Sequence, residues 1–384
     1  MTEKIFENDS YCREFKAVVK TCTEENGIYN IVLDKTAFFP EGGGQAADEG
    51  TINGIKVEDV QTVDNDVVHK IKEPLCAGDE VDCVIDWDIR FARMQSHSGE
   101  HIVSGVIYNM FGYSNVGFHM SADNVMTVDV SGALSSEDIE EIELRANRAI
   151  YANGAITVSY PLKEELENLD FRSKTEHEDT RLVTIENVDC CACCAPHPAR
   201  TGEIGLIKII SFCPYKKGTR IEMIAGITAL RDYLLINASN KYMMGLLSAS
   251  RYSVKDAVEK QYETVQNLKA ENKKLSGKLA VSEMTVTEIN NSAYSISEGM
   301  SYDDLRTCSN SLIEKNYKIC VLLSKADENN YLYVVSSKNE DVRPTVQNLN
   351  SIFSGKGGGK PDYAQGRITA PSAEELEEKL KNIL

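Results

Sequence analysis

Between Arg90 and Gly105 the chain runs Arg-Phe-Ala-Arg-Met-Gln-Ser-His-Ser-Gly-Glu-His-Ile-Val-Ser-Gly, and Met94, His97, His101, Ile102 and Gly105 fall near one face of a 3.6-residue period. This spacing predicts a helix carrying two imidazoles one turn apart on a single side, where both reach one ion. Six histidines in 384 residues yield only about 0.1 such pairs by chance. Two ordinary helix histidines are the competing reading. Glu100 lies inside the same turn.

Upstream the period is two. Residues 12 to 86 alternate apolar runs (Phe15 to Val19, Ile28 to Leu33, Ile55 to Val60, Val81 to Ile85) with Gly, Asn and Asp breaks, which predicts antiparallel strands and a small β-barrel-like domain. Inside it stands Phe38-Phe-Pro-Glu-Gly-Gly-Gly-Gln45. Three consecutive glycines, Gly42, Gly43 and Gly44, exclude a regular strand there and fit either a close backbone approach or a flexible turn. Downstream, strands are expected at 127 to 130, 156 to 160, 181 to 185 and 204 to 210. A second helix starts at Ser135, where Ser135 with Asp138 resembles a capping box. From 255 to 285, Val258, Gln261, Val265, Leu268, Asn272, Leu275 and Leu279 recur at three- and four-residue steps, as a coiled-coil seam or as a helix packed within one chain. Helices then alternate with the runs Ile319 to Leu323 and Tyr331 to Val335.

The second half of a metal set stands at Cys193-Cys-Ala-Pro-His197. One thiol and one imidazole, again four residues apart, join His97 and His101 in a borderline-soft donor set suited to Zn2+. Cys190, Cys191, Cys193 and Cys194 also form two interleaved C-x-x-C pairs, so a separate thiolate site competes with it. Four protein ligands ordinarily close a zinc site; catalysis then requires a displaced ligand or five-coordination. The other seven cysteines are expected as small buried hydrophobes.

Composition bounds the rest. With 42% hydrophobic and 26% charged residues the chain is ordinary for a globular protein of two to four domains. Its longest apolar runs fall far short of the roughly 20 residues of a membrane helix, and its first residues lack the apolar segment of a secretory signal. A cytoplasmic protein without a membrane partner is expected. A net charge of −18 argues against a broad basic nucleic-acid surface, so any RNA contact is local.

Taken in order, these motifs resemble the editing domain of alanyl-tRNA synthetases and the free-standing AlaX family. The resemblance rests on Phe39-Pro-Glu-Gly-Gly-Gly-Gln45, His97-x3-His101, Gly117-Phe-His119, Cys193-x3-His197, Thr201-Gly-Glu-Ile-Gly205, Gly218-Thr-Arg-Ile-Glu222 with Gly226, and the tail Gly355-Lys-Gly-Gly-Gly-Lys-Pro-Asp-Tyr-Ala-Gln365. It covers almost the whole chain and is most similar to the long form. Pro196 and Pro198 depart from the family pattern, as does Glu100 within the first motif, and these departures bear on amino-acid selection.

The resemblance implies an α+β multidomain chain. Its expected parts are a β-barrel-like domain with the glycine motif (1–89), an α/β zinc-binding editing domain (90–232), a helical coiled-coil linker (233–288) and a C-terminal α/β domain for tRNA binding and dimerisation (289–384). It implies a zinc site of His97, His101, Cys193 and His197, and hydrolysis of seryl- or glycyl-tRNA(Ala) in trans by a homodimer. Glu100 and His119 are candidate catalytic helpers. The glycine motif is Gly42, Gly43, Gly44 and Gln45. Lys356, Lys360 and Arg367 in the tail, with Lys216, Lys217 and Arg220, are candidate contacts to the RNA backbone. The tail is no nucleotide loop, since Ser354 and Pro361 stand where Gly and Ser or Thr would be required. A full synthetase is not expected, because the chain begins at the β-domain. A tRNA-binding protein with a structural zinc, or a metallohydrolase of a small ester or amide, are the rival readings.

Overall fold

The computed structural model describes residues 1–166, 169–172 and 180–384. They form two compact units, Met1–Tyr242 and Met243–Leu384.

In the first unit, seven antiparallel strands curl into a nearly closed barrel-like sheet, in the order Ile55–Val57, Gly50–Ile52, Glu80–Ile85, Glu14–Glu25, Ile28–Leu33, Asp66–Ile71, Asp59–Val63. Alternation does the work: in Glu80–Ile85, Val81, Cys83 and Ile85 point into the core while the residues between them face solvent. One polar side chain is sealed in that core. His69 is 0% exposed, and because the Ile31 carbonyl can only accept, Nδ1 carries the proton (3.1 Å). Nε2 therefore accepts from the Thr36 hydroxyl at 2.8 Å. Burial pushes this imidazole down to about 4, so it stays neutral.

The period then switches, and helix Trp87–Phe111 follows, with the Asp86 carboxylate accepting from Ile89 N at its start and Gly112, at φ +71°, ending it. It is buried along most of its length between a four-stranded antiparallel sheet (order Asn115–Met120, Met126–Val130, Gly218–Ala225, Ile207–Tyr215) and a three-stranded one (Ile156–Ser159, Leu182–Ile185, Asp189–Ala192). Close approach requires Gly105: a Cβ there would stand 2.6 Å from the Val188 carbonyl oxygen. The second helix, Ser136–Tyr151, opens with the full capping box of Ser135 and Asp138.

The long helix is clamped to the barrel by a buried ion pair. Arg90 and Asp48 are both sealed from solvent, Arg90 Nε donating to Oδ1 at 2.8 Å and Nη2 to Oδ2, while Nη1 reaches Ser10 O at 3.1 Å. Asp48 also accepts from Phe39 N at 2.5 Å, which folds the segment 39–48 back on itself.

In the second unit, a six-stranded sheet runs Thr287–Ile289, Ser292–Glu298, Cys320–Lys325, Asn330–Ser336, Tyr363–Thr369, Lys356–Gly359, with one parallel pair, its second and third strands. Helix Tyr302–Ile313 covers one face and Arg343–Ile352 with Ala373–Ile383 the other, giving two apolar clusters. Ahead of the sheet stands helix Val254–Glu283, whose seam residues Val258, Val265, Leu268, Leu275 and Leu279 are exposed. Of the seven cysteines expected to be buried, Cys83, Cys308 and Cys320 are; Cys76 and Cys213 are exposed, and Cys12 and Cys22 are half-buried. Cys76 sits in a turn and Cys213 on the open side of an edge strand, where no layer covers it. No helix among the described residues is long and apolar enough to cross a membrane.

Removing one partner of a buried ion pair leaves the other charge uncompensated. Arg90→Ala is therefore expected to lower unfolding stability by about 3–5 kcal/mol, read by urea denaturation of the full chain.

Candidate metal centre and cleft

His97 and His101 lie one turn apart on the buried helix, their ring centroids 5.3 Å from each other. The loop after strand Asp189–Ala192 brings Cys193 and His197 against them, with His101 and His197 centroids 4.9 Å apart. Cys193 Sγ is 3.5 Å from His97 Nε2 and 3.3 Å from His197 Nε2. One donor atom from each of the four residues lies within 4.8 Å of all the others.

Each imidazole is oriented from behind through Nδ1. Gln45 Oε1 accepts from His97 Nδ1 at 3.0 Å, Asp189 Oδ2 from His101 Nδ1 at 3.1 Å, and the Ser98 hydroxyl meets His197 Nδ1 at 2.8 Å. With Nδ1 engaged, Nε2 of each ring is directed to the common point, the arrangement by which proteins fix a histidine tautomer for a metal. Asp189 is itself held by Arg172, through Nε at 2.8 Å and Nη2 at 2.9 Å. Burial would raise its carboxyl, but Arg172 and then His101 bring it down to about 2. Burial likewise opposes ionisation of Cys193, yet the imidazoles of His97 and His197 hold its thiol well below the ordinary value. A thiol already biased to the anion, beside three imidazoles, makes a donor set that fits a soft or borderline divalent ion.

The competing thiolate cluster does not assemble. Strand pairing places Cys190 opposite Thr184 and Cys191 opposite Val183, on alternating faces. Burial pushes the Cys191 thiol up to about 11, and the second donor group among the described residues is His101, Asp189 and Cys191.

A cleft of about 560 Å³ opens over these donors, lined by Gly43, His97, Glu100, His101, Tyr108, Asn115, Phe118, Phe171, Arg172 and the segment Cys191 to Cys194. The glycine motif forms its rim by close approach. Gly44, at φ +81°, would put a Cβ 2.6 Å from the Phe118 ring, its carbonyl accepts from Met120 N at 3.1 Å, and Gly42 pairs with Gln45 across the turn. Gln45 is thereby swung under His97, and its Nε2 has no partner among the described residues.

The remaining candidates divide. Glu100 is 3% exposed and lines the cleft, accepting from Asn115 Nδ2 at 2.7 Å and from the Ser104 hydroxyl. His119 is exposed and stands outside the lining; the alternation of strand Asn115–Met120 gives the cleft Phe118 instead. The geometry therefore does not bring His119 to the other site residues. Lys216 and Lys217 are exposed at a hairpin turn, but Arg220 is committed to Asp129 (2.6 and 2.8 Å) and stacked 3.7 Å over Tyr215. Lys356 and Arg367 face each other on adjacent strands of the second unit with Lys360 just beyond, all exposed, and Arg367 pairs with Asp327 at 2.5 Å. Sequence reasoning missed Ser98, Asp189 and Arg172. The first was hidden inside the His-Ser-Gly-Glu-His motif, and the others are placed only by the three-stranded sheet.

Comparison with known proteins places this architecture. The family model for "tRNA synthetases class II (A)" matches residues 6–89, that for "Threonyl and Alanyl tRNA synthetase second additional domain" matches 180–222, and the DHHA1 domain matches 277–384. Alanyl-tRNA editing protein AlaX-L of Pyrococcus horikoshii is 29% identical over 412 residues, covering 100% of this chain and 98% of the relative. Alanine–tRNA ligase of Pyrococcus abyssi is 31% identical over 409 residues, but this chain spans only 44% of its length. Barrel, donor centre and C-terminal unit thus define a chain assembled from modules shared with alanyl-tRNA synthetase. Alanyl-tRNA editing protein Aarsd1 of Danio rerio is 30% identical over 292 residues, covering 72% of this chain and 71% of the relative. The chain belongs to the family of alanyl-tRNA editing proteins.

Asp189→Asn removes the anionic acceptor behind His101 and loosens Arg172. Zn2+ affinity, measured by competition with a chromophoric chelator, is expected to fall about 10- to 100-fold while the far-UV circular dichroism is retained.

Proposed function

We propose that this protein hydrolyses the ester of wrongly charged tRNA(Ala), seryl- or glycyl-tRNA(Ala), in trans. The single observation that carries this is the buried donor set opening on a cleft of about 560 Å³, in a chain of the alanyl-tRNA editing protein family.

His97, His101, Cys193 and His197 would hold Zn2+, which when bound supplies Lewis acidity that lowers the pKa of water or polarises a carbonyl. Gln45, Asp189 and Ser98 keep the three rings in the tautomer that leaves Nε2 available. Glu100 is fixed by Ser104 and Asn115 in the cleft wall; it takes the proton of the attacking water and returns it to the ribose oxygen that leaves as the acyl C–O bond breaks. The rim of Gly43 and Gly44 lets backbone rather than side chain border the acyl group. Sparing alanine requires a hydrogen bond to the serine hydroxyl, a group that alanine lacks. Glycine has no such group and is hydrolysed with less selectivity. No role is assigned to His119.

Lys356, Lys360 and Arg367, with Lys216 and Lys217, are proposed to contact the RNA backbone, while the acidic remainder limits non-specific binding. The finer division into domains at 1–89, 90–232, 233–288 and 289–384, and a cytoplasmic location, belong to the same reading. A homodimer does too. Helix Gly226–Leu247 exposes Leu230, Leu234, Leu235, Ile236 and Leu246, and helix Val254–Glu283 exposes its seam, apolar surface that a second copy covers.

Purified protein is expected to deacylate seryl-tRNA(Ala), more slowly glycyl-tRNA(Ala), and to leave alanyl-tRNA(Ala) largely intact, with activity lost on chelation and regained with Zn2+. Chelator-insensitive hydrolysis would exclude the metal's role; absence of hydrolysis of any charged alanine tRNA would favour a tRNA-binding protein with structural zinc. Light scattering should give twice the chain mass of 42.6 kDa, and a chain ending near Tyr233 should give a monomer. A full-length monomer would defeat the dimer.

A further inference from the structure

Behind the cleft lies a second cavity of about 620 Å³. Ala192, Cys193 and Cys194 line both, so one turn of backbone separates them. Its outer walls include Lys4, Glu7, Tyr160 and Arg181. Two cations against one carboxylate make a locally basic surface on a chain of net charge −18.

Arg181 is the unusual member. It is 8% exposed, and its Nη1 donates to Cys193 O at 2.7 Å and Ala195 O at 3.0 Å, while its Nε is buried without a partner. An arginine carries five donors in a fixed fork, and a buried donor with no acceptor loses its hydration for nothing in return. The Tyr160 hydroxyl lies against the same guanidinium, and Lys4 stands beside them, 3.5 Å from Glu7. A fork with one unpaired donor, a phenol and an ammonium are the groups that bind a phosphodiester oxygen pair.

We propose that this groove holds the backbone phosphate of the single-stranded RNA end whose terminal nucleoside enters the adjoining cleft, with Arg181, Tyr160 and Lys4 as its ligands. The proposal rests on the aminoacyl-tRNA reading above. Because Arg181 also grips the carbonyls on either side of Cys194, a seated phosphate fixes the turn that carries Cys193. On binding, Lys4 exchanges Glu7 for phosphate.

The test measures binding and hydrolysis separately with the full-length protein. A 5′-labelled single-stranded RNA tetranucleotide ending in adenosine is titrated by fluorescence anisotropy at several salt concentrations. Lys4→Gln and Arg181→Gln are each expected to weaken binding roughly tenfold and to make the slope of log K against log salt shallower by about 0.7. Glu7→Gln, which frees Lys4, should tighten it. Zinc content of the Lys4→Gln protein should equal that of the wild type. Unchanged affinity in Lys4→Gln and Arg181→Gln overturns the proposal. So does weakening in Arg181→Gln alone with loss of zinc, since that assigns Arg181 to holding the Cys193 turn. Displacement by inorganic phosphate at the same concentration as by unlabelled tetranucleotide also overturns it, because the groove would then be a free-anion site. Wild-type protein that binds RNA through the groove but hydrolyses no aminoacyl ester sinks the functional reading and leaves the groove standing.

Discussion

Three imidazoles can converge on one point only if each is turned from behind, and here the turning groups come from separate parts of the chain. Gln45 comes from the barrel's glycine loop, Ser98 from the helix and Asp189 from a strand of the three-stranded sheet. The donor centre is therefore the place where barrel, helix and sheet must agree in position. A shift of any one by an ångström turns a ring and scatters the Nε2 atoms, because hydrogen bonds lose strength steeply with distance and angle.

What keeps those three parts in register is a mixture of buried charge and absent side chains. Arg90, one turn into the helix, is sealed against Asp48, and the loop that Asp48 closes delivers Gln45 three residues earlier. At the other end of the same helix, Gly105 lets the Val188 carbonyl and Asp189 come close enough for the carboxylate to reach His101. Isolated, each feature reads as stability. Together they decide the geometry of the centre, and Arg172 behind Asp189 extends that control to the cleft wall.

The acidic balance of the chain makes local positive charge meaningful. Arg220 and Arg367 are paired with Asp129 and Asp327, Arg367 remaining exposed, and Lys216, Lys217, Lys356 and Lys360 are exposed as well. The two basic clusters belong to different units. Arg181 differs from all of them by being buried beside the donor turn, where a screened surface charge would have little influence but a desolvated one acts strongly.

Local spacing made much of the centre legible without any coordinates. His97 with His101 and Cys193 with His197 are each one helical or loop turn apart, so proximity within a pair is a property of the covalent chain. The capping box at Ser135 and the alternation in Glu80–Ile85 were legible for the same reason: their partners lie within a few residues. Nothing local distinguishes Asp189 or Arg172 from other surface-type charges, nor tells that Gly42 to Gly44 form a rim and not a loose turn. Glu100 and His119 show the limit most clearly. Both are polar residues within motifs, and only the packing of helix against sheet buried Glu100 in the cleft while strand alternation turned His119 away. The sequence by itself determined which residues carry donor chemistry; the tertiary structure alone decided which of them share one cleft, because burial and long-range hydrogen bonds such as Ser98 to His197 join segments far apart in the chain.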